Sequence, residues 1–508
     1  MTTRSLAGRD IVTVAACVAA FALAGIPVAG SMTDDTYIHM QYARNLAETG
    51  ELSFNRGDPS YGATSPLWVG ILALVHKTGG DLSIAIRILS WSAGALSVML
   101  IYLLVLRIDG RRLVAGAAGA VMASEGWLLR WSATGMESSF AVLAVLVCLI
   151  ASLGATRSAG RSALFGLLLF LAFLARPEAL LLVPASFAAF ALAERDVPAG
   201  RRFLWLPVFV VLTVCWLLLI RSHTGTFLPL TAGAKQGRPS FGTGMLVSAL
   251  VPLKVIGATL LLPAAAAFLF TAAGLFRDRD LFGSERGLSR GGLLLLLLWV
   301  FLLPALYVIL DFHVLSRYLL PVFPAIIAVG ICGTARLLRG AGWKRARLAI
   351  VTIAGLTVIQ SLVFYSSVVV RPTREFSRGL HEVIVPMGVW LAGNSPPGSV
   401  VASPDIGAIG YFSRRRVLDL GGLVTPEIND MRRRIDVERI IEEGLYLDLG
   451  ADYLLDRHTV PRRFDGSVIS GVLFTAVKEG AVSNLGIRKP GPVHYTLYRL
   501  DPAGKEGR

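Results

Sequence analysis

Two adjacent carboxylates directly after an apolar run are the first residues of this chain whose types and spacing could do chemistry. They lie in Thr33-Asp34-Asp35-Thr36-Tyr37-Ile38-His39-Met40-Gln41-Tyr42. The stretch reads as a helix that Thr33 can cap, with both aspartates in its first turn, where the helix dipole alone stabilises an anion by about 0.3–1 kcal/mol. Successive helical residues point about 100° apart. At most one of Asp34 and Asp35 therefore aims at a given reacting atom, while the other caps, orients or binds metal. His39, four residues after Asp35 on the same helical face, can hydrogen-bond Asp35 or join it around a metal.

Further polar groups recur at the ends of apolar runs. The stretch from Phe54 to Trp68 is rich in Gly, Pro, Asn and Asp and reads as a structured loop. In it Tyr61, Thr64 and Ser65 are candidates for substrate contact, with packing as the alternative. Thr134-Gly135-Met136-Glu137-Ser138-Ser139 contributes Glu137, and Arg176-Pro177-Glu178 sets a cation at the edge of lipid. Pro177 and Glu178 also suit a helix start, but charges at a membrane boundary are functional candidates by default. The loop around Phe227 to Lys235 and the turn Asp311 to Tyr318 add Lys235, His313 and Arg317, each of which could also be a snorkelling side chain. Together, Arg176, Lys235, Arg317 and His313 beside a carboxylate pair form what a membrane enzyme needs to hold an anionic lipid phosphate next to a general base. His39, Tyr61, Thr64, Ser65, Glu137 and Glu178 form the expected substrate-binding set.

The elements that must position these groups are membrane spans. Of the 508 residues 54% are hydrophobic and 16% charged, with a mean hydropathy of +0.63, far from an ordinary soluble composition. Apolar runs predict about eleven transmembrane helices, near 11–30, 84–106, 113–129, 139–155, 161–175, 178–193, 203–220, 252–276, 292–310, 317–338 and 347–369. The first could also be a signal peptide, but its length and the many spans after it favour an uncleaved helix. The 66–75 segment is apolar but about ten residues long, and reads as a re-entrant or interfacial helix. Every Arg- or Lys-rich connection then falls on one side, among them Arg107, Arg111 and Arg112, Arg157 and Arg161, and Arg339 to Arg347. The positive-inside rule makes that side cytoplasmic, with the N-terminus, in a multi-pass protein of the cell's plasma membrane. A net charge of +15 is thereby explained by topology, and no nucleic-acid partner is expected. The four cysteines lie in apolar runs and read as buried small residues rather than a disulfide framework or metal site.

The expected organisation is a transmembrane part over 1–370, whose first outer loop spans 31–83, and an extracytoplasmic α/β domain over 371–508. Strands are expected at 399–403, 417–420, 453–455 and 494–500, with a helix around 437–449. Gly407, Gly410, Gly421 and Gly422 read as turn residues, with a binding crevice as the alternative.

Four stretches carry a resemblance: Asp34-Asp35-Thr36-Tyr37-Ile38, Tyr61-Gly62-Ala63-Thr64-Ser65-Pro66-Leu67-Trp68, Gly135-Met136-Glu137-Ser138 and Arg176-Pro177-Glu178-Ala179. In order and spacing the chain resembles the integral membrane glycosyltransferases of the GT-C fold, and among them the cell-wall arabinofuranosyltransferases that use polyprenyl-phosphate sugars. The tail, with Asp405-Ile406-Gly407-Ala408-Ile409-Gly410-Tyr411 before Asp419-Leu420-Gly421-Gly422-Leu423, is similar too. The resemblance implies an acidic base in the first outer loop, a lipid-phosphate donor held between that loop and the helices, and a C-terminal outer domain; the expected acceptor is a cell-envelope glycan or lipid on the extracytoplasmic face. It leaves the sugar open, because the intervening loops depart from the arabinosyl branch.

The chemistry fits the residues independently. Displacing a polyprenyl phosphate from an anomeric carbon needs a base for the acceptor hydroxyl, here Asp34 or Asp35, and cations for the leaving charge. One base with no paired nucleophile implies inversion. A metal requirement stays open at this level. The rival reading is a transporter or flippase of lipid-linked sugars, which would place its charges at mid-membrane on broken helices, often with internal repeats.

Overall fold

A computed structural model describes residues 8–227, 243–277, 288–311, 314–487 and 490–503. Among these, eight helices are long and apolar enough to cross a bilayer. They match eight of the expected spans. The other three fall on shorter apolar helices, Arg112–Ala123, Ala159–Ala175 and Pro177–Ala193. The expected 113–129 span breaks because Glu125, which is buried, accepts a hydrogen bond from the Leu128 N–H at 2.5 Å and starts a new helix, Gly126–Ala133. The chain is thus a polytopic α-helical membrane protein carrying a C-terminal sheet.

The bundle closes around Ser316–Leu337, whose apolar window is entirely buried. Small residues permit this: a Cβ at Gly330 would collide with the backbone of Pro263, and one at Gly333 with the ring of Phe270. Close backbone approach through such residues is how helices pack where lipid removes the hydrophobic drive. Peripheral helices do the reverse. Ala199–Thr224 is only 17% buried over its apolar window and exposes Val211, Val214 and Leu218, side chains that suit acyl chains. The first helix, Gly8–Gly25, is tied into the bundle by Asp10, which accepts from the Tyr102 hydroxyl at 2.8 Å and from Arg112 Nε at 2.7 Å. Of the cysteines, Cys17, Cys148 and Cys332 are buried as expected, whereas Cys215 is exposed on the Ala199–Thr224 segment.

Between the first two spans lies the 31–83 loop. Its helix Asp34–Thr49 begins at Thr33, whose backbone N–H and hydroxyl both meet the Thr36 hydroxyl, at 3.4 and 2.9 Å. A short hairpin follows, β1 (Ser53–Asn55) and β2 (Asp58–Pro59), then the helix Pro66–Lys77. At twelve residues this helix is about 18 Å long at 1.5 Å per residue, too short to span.

From Trp343 to Asn394 the chain is one helical run of 52 residues, including two π-helical turns at Tyr365–Val369 and Leu380–Ile384. It carries the chain beyond the last apolar window and into the sheet, so the change of composition near 370 falls inside a helix. The six-stranded sheet has the order β4-β3-β5-β8-β7-β6. Its strands are β3 (Val400–Ser403), β4 (Arg416–Asp419), β5 (Tyr453–His458), β6 (Val468–Ile469), β7 (Val472–Asn484) and β8 (Pro490–Pro502). Strand β3 is parallel to β4 and β5, while β5, β8, β7 and β6 pair antiparallel. The expected strands and the helix Val437–Glu442 are present; β6 and β7 are additional.

The sheet docks on the first loop. Tyr37, Phe54 and Trp68 share one apolar cluster with Leu380, Ile409, Val417 and Leu497. At the edge strand β4, Asn55 bonds both the carbonyl and the N–H of Val417, each at 2.9 Å, and so satisfies an edge that would otherwise offer unpaired groups.

Candidate functional site

The two aspartates of the first turn diverge as their 100° separation requires. Asp34 accepts hydrogen bonds from the N–H groups of Gly407 and Ala408, both at 2.8 Å. It thereby caps the start of the sheet part's helix Gly407–Ser413, 373 residues away. Only glycine fits there, since a Cβ at Gly407 would run into the Asp34 carbonyl oxygen. Burial first, then the nearby carboxylate of Asp405, push Asp34 up to about 7 against the pull of those N–H groups, with Asp35 adding a smaller push. Asp35, 41% exposed at its side chain, instead pairs with Arg317 at 2.7 Å.

A second, buried network holds the polar turns. Thr36 donates to the Thr134 carbonyl at 2.7 Å and so ties the helix to the turn that carries Glu137. Glu137 meets His39 Nε2 at 3.0 Å and Arg176 Nη1 at 2.7 Å. Arg176 also donates through Nε and Nη2 to Glu178 at 3.1 and 2.9 Å, and Tyr307 donates to Glu178 at 3.0 Å. His39, Glu137 and Arg176 are 6%, 2% and 4% exposed. Burial opposes charge on Glu137, but His39 and Arg176 overcome it and hold that carboxyl well below the usual range. For Arg176, burial is outweighed by Glu178 and Glu137, which raise its pKa. The His39 partner is thus Glu137, not the Asp35 that helical spacing suggested.

These groups surround two cavities. The larger, about 390 Å³, is lined by Asp34, Asp35, Arg130, Arg317, Asp405 and Arg457, among others. The smaller, about 50 Å³, is lined by His39, Thr64, Glu137 and Arg176. Asp35, Ile38, Arg317 and Leu423 line both, so the Asp35–Arg317 pair stands where the two meet. Trp131 fixes the rim: its indole N–H donates to Ser316 at 2.9 Å, and Arg317 lies over its ring at 5.4 Å.

Of the expected residues, Asp34, Asp35, His39, Thr64, Glu137, Arg176 and Arg317 meet at these cavities. Glu178 reaches them through Arg176. Ser65 donates to the Ala175 carbonyl at 2.7 Å and anchors its loop, and Tyr61 is buried in the apolar cluster beneath the sheet. Lys235 and His313 lie outside the described residues.

Four residues not singled out as site members join them. Arg130 lines the larger cavity, over the ring of Trp131 at 4.7 Å, and its Nε is buried without a partner. Burial and then Arg317 push it down to about 10. A cation at the end of an apolar run was the available signal, the same one that marked Arg176. Asp405 accepts from Arg457 Nη1 at 2.8 and 2.9 Å and from the Tyr495 hydroxyl at 2.7 Å. Among the described residues no group of three or more His, Cys, Asp or Glu is placed to hold a metal ion. A divalent ion at Asp35 would have to share that carboxylate with Arg317.

Residues 374–497 match the family model described as a domain of unknown function (DUF8728). No curated protein matches the chain in sequence. Among solved structures, the chain is similar to ArnT from Cupriavidus metallidurans bound to undecaprenyl phosphate, with a TM-score of 0.58 and 13% identity over 97% of this chain and 98% of that one. It is also similar to the oligosaccharyltransferase of Archaeoglobus fulgidus in its apo form, with a TM-score of 0.60 and 11% identity over 90% of this chain and 70% of that one. The archaeal oligosaccharyltransferase AglB from the same organism, in complex with an inhibitory peptide and a dolichol-phosphate, gives 0.53 and 12% over 88% and 69%. At these identities the likeness establishes the fold, which is GT-C.

Proposed function

We propose that the chain is an inverting glycosyltransferase that moves a sugar from a polyprenyl-phosphate donor to a cell-envelope glycan or lipid acceptor on the extracytoplasmic face of the membrane. One observation carries the reading: a cavity between helices and sheet sets the half-exposed carboxylate of Asp35 against Arg317, with the cation Arg130 in the same wall. Similarity to proteins solved with undecaprenyl phosphate and with a dolichol-phosphate supports the class of donor.

In this reading Arg130 and Arg317 receive the donor phosphate. Arg130 has a cation–π contact and an unpartnered buried Nε, so an anion there gains a charge-assisted bond without displacing a carboxylate. The phosphate competes with Asp35 for Arg317, and its arrival frees carboxylate lone pairs. Asp35 then takes the proton of the acceptor hydroxyl as its oxygen forms a bond to the anomeric carbon. The bond from that carbon to the phosphate oxygen breaks, and the polyprenyl phosphate leaves with the electron pair, stabilised by the two guanidiniums. Asp34 is a positioning residue that locks the helix to the sheet. Arg176, whose donors are committed to Glu137 and Glu178, is assigned to holding this wall together rather than to the phosphate.

The test is transfer of radiolabel from a panel of polyprenyl-phosphate pentoses and hexoses, in membranes containing the wild-type protein or Asp35→Asn. Incorporation that disappears in the variant is expected. Label that crosses the bilayer without incorporation would replace the transferase by a flippase.

A further inference from the structure

The sheet contributes its own charged cluster to the larger cavity, and the transfer chemistry above does not use it. Asp405 follows strand β3, Arg457 lies on β5 and Tyr495 on β8. Both bonds from Arg457 to Asp405 leave from Nη1, at 2.8 and 2.9 Å. The side chain, 29% exposed, also faces Tyr495, and a guanidinium carries five N–H donors, more than these two partners use. Asp405 accepts three bonds, two from Arg457 and one from Tyr495, against roughly four lone-pair sites on a carboxylate. The cluster is therefore ordered before any ligand arrives and still has donors and an acceptor to offer. Around it the same cavity presents Phe376, Ile384, Leu423 and Ile487.

A planar guanidinium beside a carboxylate, set among apolar side chains, matches the alternating hydroxyls and C–H faces of a sugar. Each neighbouring pair of hydroxyls can donate to the carboxylate and accept from the guanidinium. The cluster also lies next to the base: Asp405 is two residues before Gly407, which Asp34 holds, and Asp35 follows Asp34 on the helix. A lipid-linked donor keeps its tail among the helices and presents its phosphate to Arg130 and Arg317. A polar glycan has no such anchor, and must be held by the part of the wall that the sheet supplies.

We propose that Asp405, Arg457 and Tyr495 form the acceptor subsite, which binds a vicinal diol of a neutral glycan and orients the adjacent hydroxyl toward Asp35. The assignment rests on the glycosyl-transfer reading, and it makes the sheet part the determinant of acceptor choice.

The experiment uses full-length protein in nanodiscs, with Arg457→Gln and the milder Tyr495→Phe, which removes one hydroxyl. The acceptors are octyl α-mannoside, octyl β-glucoside and an octyl arabinofuranoside, and each variant is checked for a wild-type melting transition. The expected result for Arg457→Gln is an acceptor KM raised about tenfold or more, with the donor KM unchanged; Tyr495→Phe shifts it the same way by a smaller factor. Saturation-transfer NMR with the corresponding methyl glycosides reads binding without turnover, and the signal of the wild type is lost in Arg457→Gln. If Arg457→Gln does not fold, Tyr495→Phe decides by the same KM split. An unchanged acceptor KM in the folded variants, or a rise in the donor KM instead, overturns the subsite. A wild type that transfers no label yet binds glycosides through Arg457 would overturn the transferase reading and leave the glycan site standing.

Discussion

Asparagine at Asp34 and at Asp35 makes the sharpest pair of perturbations, because the two side chains are chemical twins in opposite environments. At Asp35 the amide removes the proposed base. Loss of a positioned general base costs about 10²–10⁴-fold in rate, or roughly 3–5 kcal/mol at 1.36 kcal/mol per decade. Stability should change by only about 1 kcal/mol: Arg317 is 10% exposed at its side chain and needs an acceptor, but Asp35 is 41% exposed and the amide oxygen of asparagine can still accept from the guanidinium. At Asp34 the balance reverses. Its two oxygens accept from Gly407 and Ala408, and an amide offers one acceptor and one N–H₂ group, so one backbone N–H faces a donor. An unsatisfied partly buried group of this kind costs about 1–3 kcal/mol. Asp34→Asn should therefore melt lower, with kcat/KM within about tenfold of wild type once folded protein is normalised. Initial transfer rates and thermal melts of both variants in nanodiscs measure the two quantities. Activity lost in Asp34→Asn at an unchanged melting temperature, with Asp35→Asn still active, would refute the division of roles.

Three further outcomes follow from the same geometry. Glu137→Gln leaves Arg176 buried with Glu178 as its remaining carboxylate; breaking a buried pair costs about 3–5 kcal/mol, so the yield of folded protein should collapse, and a variant that melts like wild type would show that network to be dispensable. Gly407→Ala puts a methyl group against the Asp34 carbonyl, and should expose the interface of sheet and loop to limited proteolysis while leaving the helices protected. Asp34, raised to about 7 from an ordinary value near 4, keeps its proton in the folded state where the unfolded chain has lost it. Its contribution to stability is therefore lost as pH rises from about 4 to about 7, and the melting temperature of wild type minus that of Asp34→Asn should fall over that window and level off above it; a difference that grows with pH would contradict the burial assigned to this carboxyl.

Much of the molecule is legible in the sequence, for physical reasons that act locally. Apolar runs mark spans because a backbone in lipid must bond within its own helix. The acidic pair announces itself because a helix start at a membrane boundary favours anions. Glu137 and Arg176 stand out as charges bordering apolar runs, and they meet each other because both helix ends reach the same level. The break at Glu125 is less visible, since one buried carboxylate caps a helix inside what reads as a continuous apolar run.

Local pattern along the chain suffices for the membrane class, for the helical bundle with its sheet, and for the rule that only one of two adjacent aspartates can face a given point. Which one does so was decided by tertiary structure, where the N–H groups of Gly407 and Ala408 come from 373 and 374 residues away. The same holds for Asp405, Arg457 and Tyr495, which lie on three separate segments of the sheet part. Strand pairing sets Arg457 opposite Tyr495 across β5 and β8, but which strands pair, and that the sheet then docks on the first loop, rests on contacts whose partners lie far apart in the chain and share no local pattern.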